Sequence, residues 1–406
     1  MGRGGDGSVR RSARVQQVAA ALAAAPVAKA APQYERAPSE RPPFTLGQLR
    51  AAVPSHCFQR SLLRSSAYLA ADCLAAAACY AAATRLDAQP LAPALRLLLW
   101  LVYAVVQGTV CTGIWVIAHE AGHSGFSNYP LVNDTVGLVA HSALLVPYFS
   151  WKFSHGRHHA GTGSLTRDEV FVPPTAEQFG GKNDMLKTER GRVGKLVATL
   201  LLGWPLYLVK NAGSLKYVGR HADHFWPWSP VFTSPKERVL VAVSDAALVA
   251  VLLGLRKAAV AFGAGWVIRA YGLPLIVVNF WLVMITLLQH SHPSLPHFGD
   301  ASWDWLRGAC STVDRDYGWL LNTLHHHIAD THVCHHIFSS LPHYHAAEAT
   351  AALRKVMGPY ARTDERNVFT ALWQDWRDCV YVAPDDAPGA PADVFWFRSD
   401  VPLKAE

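Results

Sequence analysis

The sequence predicts an all-α membrane protein of about four transmembrane helices, arranged as two hairpins, with a cytosolic helical cap that holds a histidine-rich metal site. Three observations support this fold class. Only 17% of the 406 residues are charged, against about 25% in a typical soluble chain. Several uncharged, apolar segments approach the length that spans a bilayer. The chain also contains 20 His, more than its 16 Phe or 14 Trp.

The apolar segments define the predicted helices. Four spans are predicted, at about 66–83, 97–117, 239–255 and 266–288. Their lengths are near the roughly 17–25 residues that one crossing needs. A fifth apolar segment, 193–209, is predicted to be either interfacial or spanning. Histidines before and after the last two spans can share one site only if an even number of crossings separates them, and this parity favours two hairpins.

The domain organisation follows from the same pattern. Residues 1–43 are rich in Ala, Arg, Gly and Pro and are predicted to form a disordered leader. Residues 44–398 are the predicted membrane-embedded domain, and 399–406 are a C-terminal tail. The chain has a net charge of +7, and much of the basic excess precedes the first span. The positive-inside rule therefore predicts a cytosolic N-terminus, and no nucleic-acid-binding motif accompanies the basic residues.

Three short histidine motifs carry the candidate chemistry. They are His119-Glu120-Ala121-Gly122-His123, His155-Gly156-Arg157-His158-His159 and His332-Val333-Cys334-His335-His336. Residues three and four positions apart share a face of a helix, so each of the last two motifs is predicted to present three imidazoles in one direction. One zinc-type site takes three or four protein ligands. The eight histidines are therefore the predicted ligands of two metal ions.

Residues near the motifs supply further candidates. Either His290 or His292, at the end of the last span, is a predicted ninth ligand. The run of His325, His326 and His327 is interpreted as surface histidines, and the alternative is that one of them is an extra metal ligand. A ligand imidazole usually hydrogen-bonds an acidic side chain. The carboxylates predicted to orient a ligand in this way are Glu120, Asp168 and Asp330, followed by Glu169, Asp314 and Asp316. Imidazole suits Zn, Cu, Fe and Ni alike, so the ligands do not select the metal.

One alternative concerns the first motif alone. His119, Glu120 and His123 match the HExxH pattern of zinc proteases, in which the glutamate is a general base. An intramembrane protease built on this motif leaves the other two histidine motifs without a role.

The motifs and the segments around them resemble the membrane-bound fatty acid desaturases, and most closely the plant and algal endoplasmic-reticulum delta-12 (oleate) desaturases. The resemblance runs from about Pro42 to Phe397. Among the segments that carry it are WVIAHEAGHSGFSNY (115–129), HSALLVPYFSWKFSHGRHH (141–159) and DTHVCHHIFSSLPHYHAAEAT (330–350).

The resemblance implies a non-haem di-iron enzyme that uses O₂ to convert oleoyl chains on phosphatidylcholine to linoleoyl chains. It implies cytochrome b5 and its NADH reductase as separate electron donors. It also implies an endoplasmic reticulum membrane protein with the histidine motifs in the cytosol, with a plastid membrane as the alternative. A homo- or heterodimer is compatible with the sequence.

Three residues depart from the usual motifs of this family. Ala121 stands where the family usually has Cys, and Ser124 stands where it often has His. Cys334 stands where the family usually has Ala. These changes leave the predicted ligands intact. Related omega-3 desaturases, hydroxylases, acetylenases and conjugases keep the same motifs, so these activities stay open as alternatives.

Overall fold

A computed structural model describes residues 34–180 and 184–399 of the chain. Within these residues the α-helices are, in chain order, α1 (Leu46–Ala52), α2 (Leu62–Ala83), α3 (Pro93–Gly122), α4 (Pro130–Ala143), α5 (Tyr148–Gly161), α6 (Ala176–Phe179), α7 (Glu189–Lys210), α8 (Pro235–Phe262), α9 (Ala264–Val267), α10 (Leu273–His290), α11 (Trp305–Ala309), α12 (Trp319–Leu324), α13 (His332–Ile337), α14 (His343–Met357) and α15 (Val368–Asp378). The strands are short: β1 (His297–Phe298), β2 (Val313–Arg315), β3 (Arg362–Asp364), β4 (Tyr381–Pro384) and β5 (Val394–Arg398). The predicted all-α class is confirmed.

Five helical stretches in the described residues are long and apolar enough to cross a membrane. They are Leu62–Ala88, Pro93–Gly122, Glu189–Lys210, Pro235–Phe262 and Ala264–His290. The last stretch joins α9 to α10 through a π-helical turn at Ile268–Gly272. Four of the stretches contain the four predicted spans, and the fifth, α7, contains the segment whose placement the sequence left open.

Contacts at both ends of α7 favour its interfacial placement. Near its start, the backbone oxygen of Arg192 accepts a hydrogen bond from Trp376 Nε1 of α15 at 3.0 Å. Near its end, Tyr207 Oη lies 2.8 Å from Ser154 Oγ of α5. Both α5 and α15 lie outside the apolar stretches. A helix that crossed the bilayer once would have its ends separated by about 30 Å of hydrocarbon.

The start of α8 supports the same placement. Ser234 and Glu237 form a capping box at its N-terminus. Pro235 occupies the first helical position, where proline is favoured because no hydrogen bond from its nitrogen is needed. Glu237 Oε1 also pairs with Arg157 Nη2 of α5 at 2.6 Å. Because α5 precedes α7 and α8 follows it, this ion pair brings together the segments on either side of α7.

Helix α3 carries the first histidine motif out of the apolar region. Its 30 residues span about 45 Å at 1.5 Å per residue, more than the roughly 30 Å of a bilayer core. Its packing against α10 requires a glycine: a Cβ on Gly108 would lie 2.4 Å from Val277 Cβ and 2.6 Å from Pro274 O. The C-terminal turns of α3 therefore extend beyond the bilayer thickness and reach the part of the protein outside the apolar stretches, which we call the cap.

The single carboxylate inside the first predicted span is paired. Asp72 Oδ2 of α2 lies 2.7 Å from His326 Nε2, and His326 is buried. The interpretation of His326 as a surface histidine is therefore wrong. An unpaired carboxylate within an apolar helix is costly, so a polar partner is expected there.

The cap is completed by two small sheets. Strand β5 pairs antiparallel with both β1 and β4, and β2 pairs parallel with β3. Trp396 and Phe397 of β5 are buried.

The predicted leader and tail lie largely outside the described residues, which exclude 1–33 and 400–406. The end of the leader is packed against the cap: Ala37 is buried, and its backbone N–H donates to Ser294 O at 2.9 Å.

Candidate metal centre

Four helices bring nine histidines together at one end of the bundle. His119 lies in the last turn of α3 and His123 caps it, while α5 carries the second motif and α13 the third. The ninth, His290, is the last residue of α10. Two groups result, which we call the first and the second histidine cluster.

The first histidine cluster draws on all three motifs. Its members, whose donor atoms all lie within 4.8 Å of one another, are His119, His123, His155, His159 and His335. The Nε2 atoms of His119 and His155 are 2.9 Å apart, and those of His155 and His159 are 3.2 Å apart.

The second histidine cluster lies beside it. Donor atoms of His158, His290 and His336 lie within 4.8 Å of one another. His332 joins them, because its Nε2 is 3.1 Å from His336 Nε2 and 3.3 Å from His290 Nε2. All eight histidines of the motifs are thus gathered at one place.

The HxxHH motifs do not each point in one direction, contrary to the sequence-based prediction. His155 and His159 belong to the first cluster, whereas His158 belongs to the second. In the same way, His335 lies in the first cluster, apart from His332. Consecutive helical residues are rotated by about 100°, so the two adjacent histidines of each motif face different clusters.

The structure distinguishes between the two candidates for a ninth ligand. His290 Nε2 lies 3.3 Å from the Nε2 atoms of both His158 and His332. His292 lies beyond the helix end, with Nδ1 2.7 Å from Ser294 Oγ and Nε2 3.9 Å from Asp364 Oδ2. Only His290 adjoins the clusters.

The donor chemistry fits a metal. Nε2 of His123 and of His335 is buried and has no hydrogen-bond partner among the described residues, which is costly for a polar atom. Burial, followed by the neighbouring His158, lowers the pKa of His123 and His332 to about 3. These imidazoles are therefore neutral at physiological pH, the form in which histidine binds metal.

In three histidines of the second cluster, the ring nitrogen that is not directed at the cluster, Nδ1, makes a hydrogen bond. Asp168 Oδ1 lies 2.7 Å from His158 Nδ1. Thr162 Oγ1 lies 3.2 Å from His336 Nδ1, and Ile328 O lies 3.2 Å from His332 Nδ1. Such contacts orient a ligand imidazole and leave its Nε2 free to face the metal.

The other predicted carboxylates have different partners. Glu120 Oε2 accepts from the backbone N–H of His343 and lies 2.7 Å from its Nδ1. Asp330 Oδ2 lies 2.8 Å from His327 Nδ1. Both partners lie outside the two histidine clusters, so of the three main candidates only Asp168 contacts a cluster histidine directly. Among the further candidates, Asp314 Oδ1 accepts from the backbone N–H of Val333 at 2.8 Å.

Two tryptophans that the sequence analysis missed cover the first cluster. The Trp115 ring stacks on His119 with centroids 5.5 Å apart, and the Trp151 ring stacks on His155 at 4.6 Å. Each tryptophan stands four residues before the first histidine of its motif, one helical turn away on the same face. This repeated spacing is the signal that could have identified them.

An apolar cavity ends on the histidines. Its apolar lining includes Trp115, Trp204, Tyr207, Leu282 and Ile285, and its polar lining includes His119, His155, His158, His290 and His332. A second cavity between α7 and α10 shares Trp204, Tyr207 and Leu282 with it and adds Gly203 and Val283.

Replacing Asp168 with asparagine should weaken metal binding by about 10-fold, the lower end of the usual effect at a partner of a ligand imidazole, because the amide oxygen keeps the contact with His158 Nδ1 but carries no charge. The amide oxygen can still accept from the backbone N–H groups of Val170 and Phe171, which now bond Asp168 Oδ1 at 2.9 and 3.1 Å. Metal retained after dialysis against graded chelator measures the effect. The exposed Asp300→Asn is the control, and equal retention in wild type and D168N would contradict this role.

The fold and the site define a helical membrane protein with a histidine-rich centre that is able to bind metal. Residues 98–366 match the family model described as "Fatty acid desaturase". A delta(12)-acyl-lipid-desaturase from Punica granatum is 50% identical over 368 residues, which cover 90% of this chain and 94% of the relative. An oleoyl-12-hydroxylase from Ricinus communis is also 50% identical, covering 90% and 93%. An omega-6 fatty acid desaturase, endoplasmic reticulum isozyme 2, from Glycine max is 50% identical, covering 90% and 94%.

The chain belongs to the fatty acid desaturase family and is an oxidoreductase. This membership replaces the alternative of a zinc protease.

Proposed function

We propose that the protein is an acyl-lipid delta-12 desaturase that converts oleoyl chains of phosphatidylcholine to linoleoyl chains. In this proposal O₂ is the co-substrate, and two iron ions are held by the two histidine clusters. Bound iron supplies the O₂ activation that redox-inactive zinc lacks.

The observation that carries the proposal is the apolar cavity that ends on both clusters. Histidines of the first cluster, such as His119, and of the second, such as His290, line the same cavity. An acyl chain lying between Leu282 and Trp204 would therefore have a carbon held close to the histidines. The second cavity, between α7 and α10, offers a route by which such a chain enters from the membrane.

The protein's own residues position the groups and exclude water. Trp115 and Trp151 cover the imidazoles on the cavity side, and exclusion of water strengthens the electrostatic interactions inside a site. Asp168 holds the proton of His158 at Nδ1, so that Nε2 presents its lone pair toward the second cluster.

The remaining features of the proposal concern the cellular setting. Electrons come from cytochrome b5 and its NADH reductase as separate proteins. The protein lies in the endoplasmic reticulum membrane, a compartment supported by the name of the Glycine max relative, and its N-terminus and histidine motifs lie in the cytosol.

Expression in a yeast that makes oleate but not linoleate tests the activity. We expect linoleate in the total lipids, with its new double bond located by mass spectrometry. A His335→Asn variant, detected in the same membranes, should give none. Absence of any new fatty acid from membranes that contain the wild-type protein would contradict the proposal.

A hydroxylase is the second candidate, because the Ricinus communis relative is as similar as the delta-12 desaturase from Punica granatum. The same lipid extracts separate the two activities, since a hydroxylase yields a hydroxy acid from oleate. Acetylenase and conjugase products are recognised in the same way, and feeding linoleate reveals an omega-3 desaturase.

A further inference from the structure

A second group of metal-binding side chains lies apart from the two histidine clusters. It joins the 3₁₀ turn at Ser55–Phe58, before the first span, to helix α14, after the third histidine motif. We call it the Cys57 cluster, and its members are His56, Cys57, His345 and Glu348. It shares no residue with either histidine cluster.

The four donor atoms of the Cys57 cluster converge. All lie within 4.8 Å of one another. His56 Nε2 is 2.9 Å from Glu348 Oε2 and 3.7 Å from Cys57 Sγ. Zinc bonds of about 2.0–2.3 Å in a tetrahedron separate ligand atoms by roughly 3.3–3.8 Å. Small side-chain rotations would bring these atoms to that spacing.

The donor types suit zinc and disfavour calcium and magnesium. One thiol, two imidazoles and one carboxylate are all groups that zinc binds, and four protein ligands are typical of a structural site. Calcium and magnesium prefer oxygen ligands throughout. The Cys57 cluster therefore has both the number and the kinds of ligand that a closed zinc site requires.

The surroundings of Cys57 also favour a cation. Its side chain is fully buried, while the His56 and Glu348 side chains are each 51% exposed. A buried thiol beside two half-exposed ligands leaves an entry path for an ion from solvent, and a metal-bound thiol is deprotonated.

We propose that the Cys57 cluster is a structural zinc site that fastens the segment before the first span to helix α14. It closes a loop of 292 positions between His56 and Glu348, and a link across a long loop removes conformational freedom from the unfolded chain. Helix α14 begins at His343, which bonds Glu120 beside His119. The zinc site therefore also holds in place the helix that contacts the end of α3.

Cobalt(II) added alone to the purified, metal-depleted full chain tests the proposal. Thiolate ligands give Co²⁺ a charge-transfer absorption band in the near ultraviolet that imidazole ligands do not. Binding to the histidine clusters therefore does not interfere. We expect this band in the wild type, its loss in Cys57→Ala and its retention in Cys310→Ala, which removes another buried cysteine.

A surface variant keeps the test independent of folding. Glu348→Gln should retain the band but weaken Co²⁺ binding at least tenfold, and the exposed Glu365→Gln should bind as the wild type does. A wild-type protein that takes up Co²⁺ without the band would overturn the proposal, as would a band that persists in C57A. Unchanged affinity in E348Q would equally overturn it and leave His56 and Glu348 as an ion pair only.

Discussion

Replacing His290 with asparagine should lower linoleate formation in the yeast assay by at least about 100-fold. Losing a residue that merely supports a metal ligand costs about 10–100-fold, and losing a ligand costs more. His290 Nε2 lies 3.3 Å from the Nε2 atoms of both His158 and His332. The shorter asparagine side chain cannot place a donor at that point, so the second cluster loses one of its four imidazoles.

His292→Asn is the matched control, two residues away and also buried. His292 uses Nδ1 to contact Ser294, with the Ser294 backbone N–H donating to it at 3.1 Å. An asparagine amide oxygen occupies nearly the same position as Nδ1, so we expect activity within about threefold of the wild type, since a replacement that keeps the hydrogen bond costs little. Equal losses in the two variants, or full activity in H290N, would refute the assignment of His290.

Replacing Arg315 with methionine should destabilise the protein by about 3 kcal/mol, the lower end of the usual cost of breaking a buried ion pair. Arg315 is 2% exposed, and its guanidinium pairs with Asp364 and Asp375. Its Nε also donates to Leu288 O near the end of α10 at 2.8 Å. The lower end is expected because Arg366 still contacts both carboxylates in the variant.

The midpoint of thermal unfolding in detergent, followed by loss of the folded peak on size exclusion, measures this effect. Arg41→Met is the control, because Arg41 pairs with Asp304 at 3.7 Å and its side chain is 79% exposed. An exposed pair contributes about 0–1 kcal/mol. If R315M unfolded at the same temperature as R41M, the buried charges would not stabilise the cap.

Local spacing made much of the site predictable. An i, i+4 pair of histidines shares a helical face whatever surrounds it, and this correctly pairs His155 with His159 and His332 with His336. The same rule could not say which cluster the middle histidine of each motif would join. That choice depends on how α5 and α13 are rotated against each other, which is a property of packing between distant segments.

The partners of the carboxylates were less predictable for the same reason. Asp168 is ten positions from His158, and a short loop brings them together. Glu120 is adjacent to His119 in the sequence, yet its carboxylate bonds His343, 223 positions away. Adjacent helical residues point about 100° apart, so proximity along the chain favoured the wrong partner.

The sequence by itself determined the helical membrane class, the apolar helices that contain the four predicted spans and the residues of the three histidine motifs. These depend on hydropathy and helical periodicity, which act over a few turns of chain. Only the tertiary structure placed His290 beside the clusters and His292 away from them, divided the histidines into two clusters and brought both ends of α7 against the cap. It also assembled the Cys57 cluster from segments 292 positions apart. Such arrangements depend on where helices end and how their faces meet, and no local pattern encodes the distance between two remote side chains.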